Sequence, residues 1–288
     1  MQFLYKIPGY VLLLFGGFCL SWGGFIIRSF EEASVWQILL LRSFFFMLAL
    51  IGFLAATYKK NTITILKDAG FPAVFGGLVM SFSFIAFVVA MTNTTVANVV
   101  FIISTQTMFL AIFGYFYLKE KVSFVSFISI LLAMSGITVM VGDSLSSGSF
   151  LGNLVALAIP INFSILVMII RKNKNLDMVP AIFYSGIFSV IYGLILSKSF
   201  VFTSHDILMG FFLGVPQLAF GFICITIGSR STSSATIGLL MLSETICAPI
   251  WVLLFLNEIP PVSTLIGGFI IILAIIIKSF DKKIKSLK

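Results

Sequence analysis

One carboxylate inside an apolar stretch is the residue of this sequence best placed to do chemistry. The stretch MLSETICAP, residues 241–249, carries Glu244 among apolar or small side chains. An ionised carboxylate at the centre of a membrane helix costs about 3 kcal/mol and is rare. Helical spacing places small or mildly polar residues on or beside its face, namely Ser234, Gly238, Met241, Thr245 and Ala248. Glu244 is a candidate contact for a substrate amine or a proton-coupling carboxylate. The alternative is a neutral Glu hydrogen-bonded to a neighbouring helix.

Uncharged polar residues in other apolar stretches extend this candidate binding site. Gln106 corresponds to Glu244 in an internal repeat described below, and Asn98 and Thr105 are seven residues apart on one helix face. Tyr184 adds a hydroxyl in a later stretch. Substrate contact is one interpretation of these residues. The other is that they hold neighbouring membrane helices together by hydrogen bonds.

Arg42 and Trp22 have the residue types of structural or gating elements. A buried arginine snorkels to the membrane surface, pairs with a carboxylate or binds an anionic group. We favour a structural or gating role for Arg42. Trp22 stands before two glycines, which permit bending or close backbone approach. It is a candidate gate or substrate-stacking residue, with an aromatic belt residue as the alternative.

Two prolines with adjacent polar residues interrupt apolar stretches of the second half. Pro160 and Asn162 interrupt one stretch, and Pro216 and Gln217 interrupt another. Interrupted spans in matching parts of two halves indicate the binding site of a transporter. The match is partial, because the third apolar stretch lacks the proline.

The sequence lacks the residue patterns of several other functions. Its only histidine, His205, lies in a predicted loop, and its three cysteines are not spaced as metal ligands. No glycine-rich phosphate loop precedes a lysine, which argues against ATP-driven transport by this chain. We expect no enzyme activity, no metal and no cofactor.

The composition requires a lipid environment for much of the surface. Of the 288 residues, 60% are hydrophobic and only 10% are charged, whereas about a quarter of the residues in soluble domains are charged. A helix of roughly 20 apolar residues crosses the hydrocarbon core. We predict an all-α membrane protein with ten transmembrane helices, at residues 7–27, 34–57, 70–91, 95–118, 122–141, 150–170, 178–196, 207–227, 234–256 and 262–278.

The basic residues predict the orientation of these spans. Fifteen of the 18 Lys and Arg residues fall in the loops on the side of both termini, two fall on the other side, and Arg42 lies within a span. Cytoplasmic loops carry the excess of Lys and Arg, so we expect both termini on the cytoplasmic side of the membrane. We expect this membrane to be a bacterial inner membrane. The net charge of +8 then reflects topology and not nucleic-acid binding.

The sequence repeats itself at an offset of 138 residues. LKEKVSFVSFISILLAMSGITVMV, from Leu118, resembles LNEIPPVSTLIGGFIIILAIII, from Leu256, and Gln106 falls on Glu244. Five spans in each half make the second half enter the membrane from the opposite side. We therefore predict two inverted five-helix repeats, 1–144 and 145–288, within one integral membrane domain. Inverted repeats are typical of secondary transporters with a midplane site.

The chain resembles the EamA-type branch of the drug/metabolite transporter superfamily over nearly its whole length. The matching residues are Trp22, Gly23 and Arg28 in LSWGGFIIR, Arg42 in LLLRSFFFML, and the acidic pair Glu120 and Glu258. Where that family commonly has Glu-Pro in the ninth span, this chain has Glu244 followed by Thr245. The resemblance implies two five-helix repeats and transport, with export the commoner direction.

Together these features predict a secondary-active or facilitative transporter of a small polar metabolite, such as an amino acid, by alternating access. The alternative is a flippase or carrier of lipid-linked or amphipathic molecules. The expected partners are a small-molecule substrate, the lipid bilayer and, as a candidate coupling ion, the proton. Substrate identity, coupling ion and oligomeric state do not follow from the sequence.

Overall fold

The computed structural model describes residues 2–94, 96–141, 150–256 and 262–285, and these are almost entirely helical. The α-helices are α1 (Gly9–Leu20), α2 (Gly23–Arg28), α3 (Val35–Tyr58), α4 (Thr62–Asp68), α5 (Gly70–Asn93), α6 (Val96–Ser104), α7 (Gln106–Leu118), α8 (Phe124–Val141), α9 (Phe150–Ala156), α10 (Ala158–Lys172), α11 (Val179–Leu196), α12 (Ser204–Phe212), α13 (Phe220–Ser229), α14 (Ser234–Leu256) and α15 (Val262–Lys285). Short 3₁₀ turns cover Gln2–Lys6 and Lys59–Asn61, and a π-helical segment, Leu213–Ala219, joins α12 to α13. Glu258, at the end of the predicted ninth span, lies outside the described residues.

Six helical stretches of the described chain are long and apolar enough to cross a membrane. They are Gly9–Arg28, Val35–Asp68, Gly70–Asn93, Leu151–Lys172, Val179–Leu196 and Ser204–Ser229. Shorter apolar helices cover Ile102–Leu118, Phe124–Val139, Ser234–Ala248 and Leu265–Lys278, within the other four predicted spans. Helices suit lipid because every backbone hydrogen bond is made within the segment. The all-helical membrane architecture is thereby supported, while the count of ten spans stays a prediction.

Several of the long helical stretches are discontinuous. α1 and α2 are separated at Ser21 and Trp22, α6 and α7 at Thr105, and α9 and α10 at Leu157. The π-helical segment contains Pro216, whose missing N–H removes a regular helical hydrogen bond. Each interruption leaves backbone polar groups that side chains of neighbouring helices can satisfy.

Small residues allow the helices around the centre of the molecule to approach closely. A Cβ atom on Gly17 of α1 would lie 2.1 Å from Ser243 Oγ and 3.3 Å from the backbone nitrogen of Glu244. On the other side of α14, Thr107 Oγ1 donates to the Gly238 carbonyl at 3.1 Å. Helix α14 is therefore held between α1 and α7, which fixes the position of Glu244.

Candidate functional site

A small cavity at the centre of the bundle brings together four of the polar residues predicted from the sequence. These residues are Arg42 from α3, Gln106 from α7, Gln217 from the π-helical segment and Glu244 from α14. The cavity has a volume of about 50 Å³, which is room for a few water molecules. The rest of its wall consists of Ser83 and the apolar residues Leu20, Met80, Phe84, Phe87, Ile103, Ile159, Phe163, Leu218, Phe222 and Met241.

Arg42 is almost fully enclosed, with 1% of its surface exposed. Its Nη2 donates to the Phe84 carbonyl at 3.1 Å, and its guanidinium lies over the rings of Phe84 and Phe87, 5.0 and 5.4 Å from their centres. Snorkelling is thus excluded. The buried Nε has no hydrogen-bond partner among the residues that the structure describes. Within the described residues the positive charge has no counter-ion, so an anionic group entering the cavity would gain a strong interaction.

Glu244 lines the same cavity and is half-buried. Among the described residues its carboxyl has no hydrogen bond or ion pair. Arg42 and Glu244 therefore line one cavity without an ion pair between them. An ionised carboxylate and a buried arginine in one cavity can contact two oppositely charged groups of the same ligand.

Gln217 connects the cavity to the interruption between α1 and α2. Its Nε2 donates to the Leu20 carbonyl at 3.1 Å, an acceptor that lies where the first helix ends. Its buried Oε1 has no hydrogen-bond partner in the described part of the chain. Gln106 lies at a second interruption, as the first residue of α7 after Thr105. The discontinuities thus place both amides at the cavity wall.

The other predicted site residues lie elsewhere. The Thr105 hydroxyl donates to the Ile102 carbonyl in the last turn of α6 at 2.6 Å, and Tyr184 Oη donates to the Leu66 carbonyl at 3.5 Å. Asn162 lines neither this cavity nor the second one described below. Asn98 belongs to α6, but its side chain lies outside the described residues.

The two prolines have different local roles. Pro160 is buried in the first turn of α10, where its ring is compatible with a helix, and the interruption lies three residues earlier, at Leu157. Pro216 lies inside the π-helical segment and lines the second cavity.

A second, larger cavity lies beside the first and shares Gln217 with it. Its volume is about 500 Å³. The wall is mostly aromatic and is formed by Phe15, Phe18, Cys19, Trp22, Phe25, Ile26, Met209, Phe212, Pro216, Gln217 and Phe220. We call this space the side cavity, and we call the first space the central cavity.

A cluster of aromatic side chains joins the first span to α14. The rings of Trp22 and Trp251 are stacked with centres 3.8 Å apart, and Trp251 Nε1 donates to Ser21 Oγ at 2.7 Å. Phe255 contacts the Trp22 ring at 5.5 Å. We call this the aromatic closure. It joins the interrupted first span to the far part of α14.

Polar contacts join the helices at the other end, which carries the basic loops. Arg171 forms an ion pair with Glu120, whose other oxygen accepts from the Ser234 backbone nitrogen at 3.0 Å. Nearby, Tyr5 donates to Asp177 at 2.6 Å. Burial and the Asp177 charge raise the pKa of Tyr5, so its hydroxyl remains a proton donor at neutral pH. We call these contacts the polar closure.

A comparison with known families identifies the class of protein to which this bundle belongs. The sequence model of the EamA-like transporter family matches residues 7–142 and 150–280. The chain belongs to the EamA-like transporter family. It is an integral membrane protein of a transporter family, as the resemblance in its sequence implied.

Two individual proteins are similar to this EamA-like chain. An "Uncharacterized transporter" from Clostridium kluyveri is 26% identical over 263 residues, which cover 84% of each chain. A solved structure titled "Crystal structure of protein" has a TM-score of 0.79 at 14% identity and covers 94% of this chain and 96% of its own. At this low sequence identity, the similarity to the solved structure shows that the two proteins share a fold.

Sequence reasoning missed one residue at the aromatic closure of this EamA-like protein. Trp251 is not among the site residues predicted from the sequence, yet it is half-buried and stacks on Trp22. It follows Glu244 by seven residues, which is two helical turns along the same face. That spacing is the signal that could have identified it.

Proposed function

We propose that this protein carries a small polar metabolite of the amino acid type across the membrane by alternating access, as a secondary-active or facilitative transporter. The observation that carries the proposal is the central cavity. Arg42 and Glu244 both line it, and within the described part of the chain Arg42 Nε and Gln217 Oε1 are buried without partners. The carboxylate of an amino acid would meet Arg42, and its ammonium group would meet Glu244 and Gln217.

The wall of the central cavity supports the proposed organisation of ten spans in two inverted repeats. Four pairs of wall residues are each separated by 138 residues, the offset of the sequence repeat: Met80 and Leu218, Phe84 and Phe222, Ile103 and Met241, and Gln106 and Glu244. The family match also divides into two parts, near the proposed boundary between 1–144 and 145–288. A site built from equivalent residues of two repeats is where a transporter binds its substrate.

Helix packing supports the same organisation. In the proposed repeat, the first five spans correspond in order to the last five. Helix α1 packs on α13 while α10 packs on α5, and α1 packs on α14 while α10 packs on α7. If each span is replaced by its counterpart in the other proposed repeat, the contact of α1 with α13 becomes that of α10 with α5. In the same way, the contact of α1 with α14 becomes that of α10 with α7.

The two closures supply the moving contacts of the proposed cycle. Trp22 and Trp251 belong to different proposed repeats, and so do Glu120 and Arg171, as well as Tyr5 and Asp177. Opening one closure while the other holds would expose the central cavity to one side at a time. We place the polar closure and both termini on the cytoplasmic side of a bacterial inner membrane. The direction that we propose for transport is export.

Counterflow in proteoliposomes tests the proposed function. Vesicles containing the purified protein are preloaded with single amino acids, and uptake of the same labelled compound is followed from pH 5 to 8. Saturable exchange that depends on preloading is expected for at least one amino acid. A flux that does not saturate would indicate a channel and would contradict alternating access.

Glu244→Gln tests the role of the carboxylate in the same assay. The substitution keeps the size of the side chain but removes its ability to ionise. We expect transport either to fall at least tenfold, which corresponds to about 1.4 kcal/mol or more, or to lose its pH dependence. Glu32→Gln, at an exposed position, is the matched control and should exchange like the wild type. Wild-type rate and pH dependence in Glu244→Gln would remove this residue from the mechanism.

The side cavity favours a second candidate function, a flippase or carrier of lipid-linked or amphipathic molecules. Several of its wall residues, including Phe15 and Phe220, are about half exposed at the surface of the bundle. That surface faces lipid in a membrane. Transfer of a labelled amphipathic lipid between leaflets, without exchange of any amino acid, would favour this function over the first.

A further inference from the structure

The central cavity is too small for a whole metabolite with a sizeable side group. Its volume is about 50 Å³, whereas pockets for small organic molecules span roughly 300–1,000 Å³. The side cavity, at about 500 Å³, lies within that range. A bound amino acid would therefore have room for its charged groups in the central cavity and for a large side group only in the side cavity.

Gln217 is a wall residue that the two cavities share. It lines both of them, is 4% exposed, and is held in place by the bond from Nε2 to the Leu20 carbonyl. Its Oε1 is buried and has no partner within the described ranges, and such an acceptor costs free energy until a donor reaches it. An ammonium group between the cavities would supply that donor.

The wall of the side cavity limits the kind of side group that fits. Six of its residues are Phe or Trp, and it contains no acidic or basic side chain. A charged side group would lose its hydration there without gaining a counter-ion. An apolar side group would instead bury its surface against the rings.

We propose that the side cavity binds the apolar side group of the transported amino acid, while the ammonium and carboxylate groups occupy the central cavity. This proposal rests on the proposed function and names the substrate class: amino acids with long or bulky apolar side groups, and none with a charged side group. In this arrangement Gln217 lies between the charged groups of the amino acid and its apolar side group.

Ligand-dependent thermal stabilisation tests this proposal without a known substrate. The full chain in lipid nanodiscs is titrated with alanine, norvaline, norleucine and 2-aminooctanoic acid, and apparent affinities are taken from the rise in unfolding midpoint. Each added methylene is expected to strengthen binding about three- to fourfold, the value for burial of a CH₂ group. Lysine, with its charged side group, is expected to bind no better than alanine.

A pair of variants on one helix locates the effect in the side cavity. Met209→Trp places a larger ring in the wall, whereas Leu208→Trp places the same ring at the neighbouring position, which is 49% exposed and outside the wall. Met209→Trp should remove the dependence of binding on chain length. Leu208→Trp should keep the wild-type series.

The outcomes separate this proposal from the function on which it rests. If all the amino acids bind equally well regardless of chain length, the side cavity is not part of the substrate site, although the proposed function stands. If no amino acid stabilises the protein or exchanges in counterflow, the proposed function fails and this inference fails with it. If hexylamine and hexanoic acid stabilise as well as norleucine, the cavity is a general apolar site for lipid, and the proposal is wrong.

Discussion

Arg42 shows at the scale of one residue how function and stability can oppose each other. A buried charge without a counter-ion destabilises a fold, and its replacement by an apolar residue of similar volume is often neutral or stabilising. Arg42 has only a carbonyl and two aromatic rings as partners among the described residues. This arrangement is understandable if the missing partner is the carboxylate of the substrate.

We therefore expect Arg42→Met to fold at least as stably as the wild type and to lose transport. The loss should be at least about tenfold, because a hydrogen bond to a charged group contributes about 1.5–3 kcal/mol. The unfolding midpoint of the purified variant and its counterflow rate measure the two effects. A protein that is destabilised, or that transports normally, would show that the guanidinium has a structural role instead.

At the scale of elements, the contact between α1 and α14 controls the position of Glu244. Gly17 leaves no room for a side chain, since its Cβ would lie 2.1 Å from Ser243 Oγ. We expect Gly17→Val to separate these helices at a cost of about 1–3 kcal/mol, the usual range for overpacking. A lower unfolding midpoint with weaker transport is the expected measurement.

Gly52→Val is the matched control for this prediction. Gly52 lies inside α3, and a Cβ atom there meets nothing within 4 Å. The same loss of glycine and gain of a branched side chain should therefore leave transport unchanged. Equal effects of both variants would mean that helix propensity, and not the close approach at Gly17, determines the result.

The sequence predicted helices better than it predicted their interruptions. Apolar length alone indicated the long helices, because lipid requires about 20 apolar residues per span. The separation at Thr105 has no proline or glycine beside it, so no local signal was available. Pro160 indicated an interruption, but a proline in the first turn is compatible with a helix, and the chain breaks at Leu157.

At the scale of the whole molecule, two residues paired by the sequence offset line one cavity. Gln106 was of interest because it aligns with Glu244, and both line the central cavity. Thr105 was chosen for its spacing from Asn98, Asn162 for its place beside Pro160 and Tyr184 for its hydroxyl, and none of these three lines the cavity. The side cavity could not be predicted, since it forms between α1 and the region of Pro216, and apolar residues carry no spacing signal for a cavity.

Alternating access makes a prediction that involves both ends of the molecule at once. Gln106→Cys places a reactive thiol in the wall of the central cavity and reports access to it. The native cysteines, Cys19, Cys224 and Cys247, are first replaced by alanine. Trp251→Ala removes the stacked pair of the aromatic closure, which is worth about 0.5–1.5 kcal/mol. Glu120→Gln removes the ion pair of the polar closure. Each change favours the state that is open at its own end.

A membrane-impermeant thiol reagent distinguishes the two sides. We expect Trp251→Ala to increase labelling at position 106 about two- to tenfold from outside the cell, in line with the stacking energy that is lost. Glu120→Gln should increase labelling only in inside-out vesicles. If both variants increased labelling from the same side, the two closures would not be opposed. The inverted arrangement of the halves would then have to be abandoned as the basis of transport.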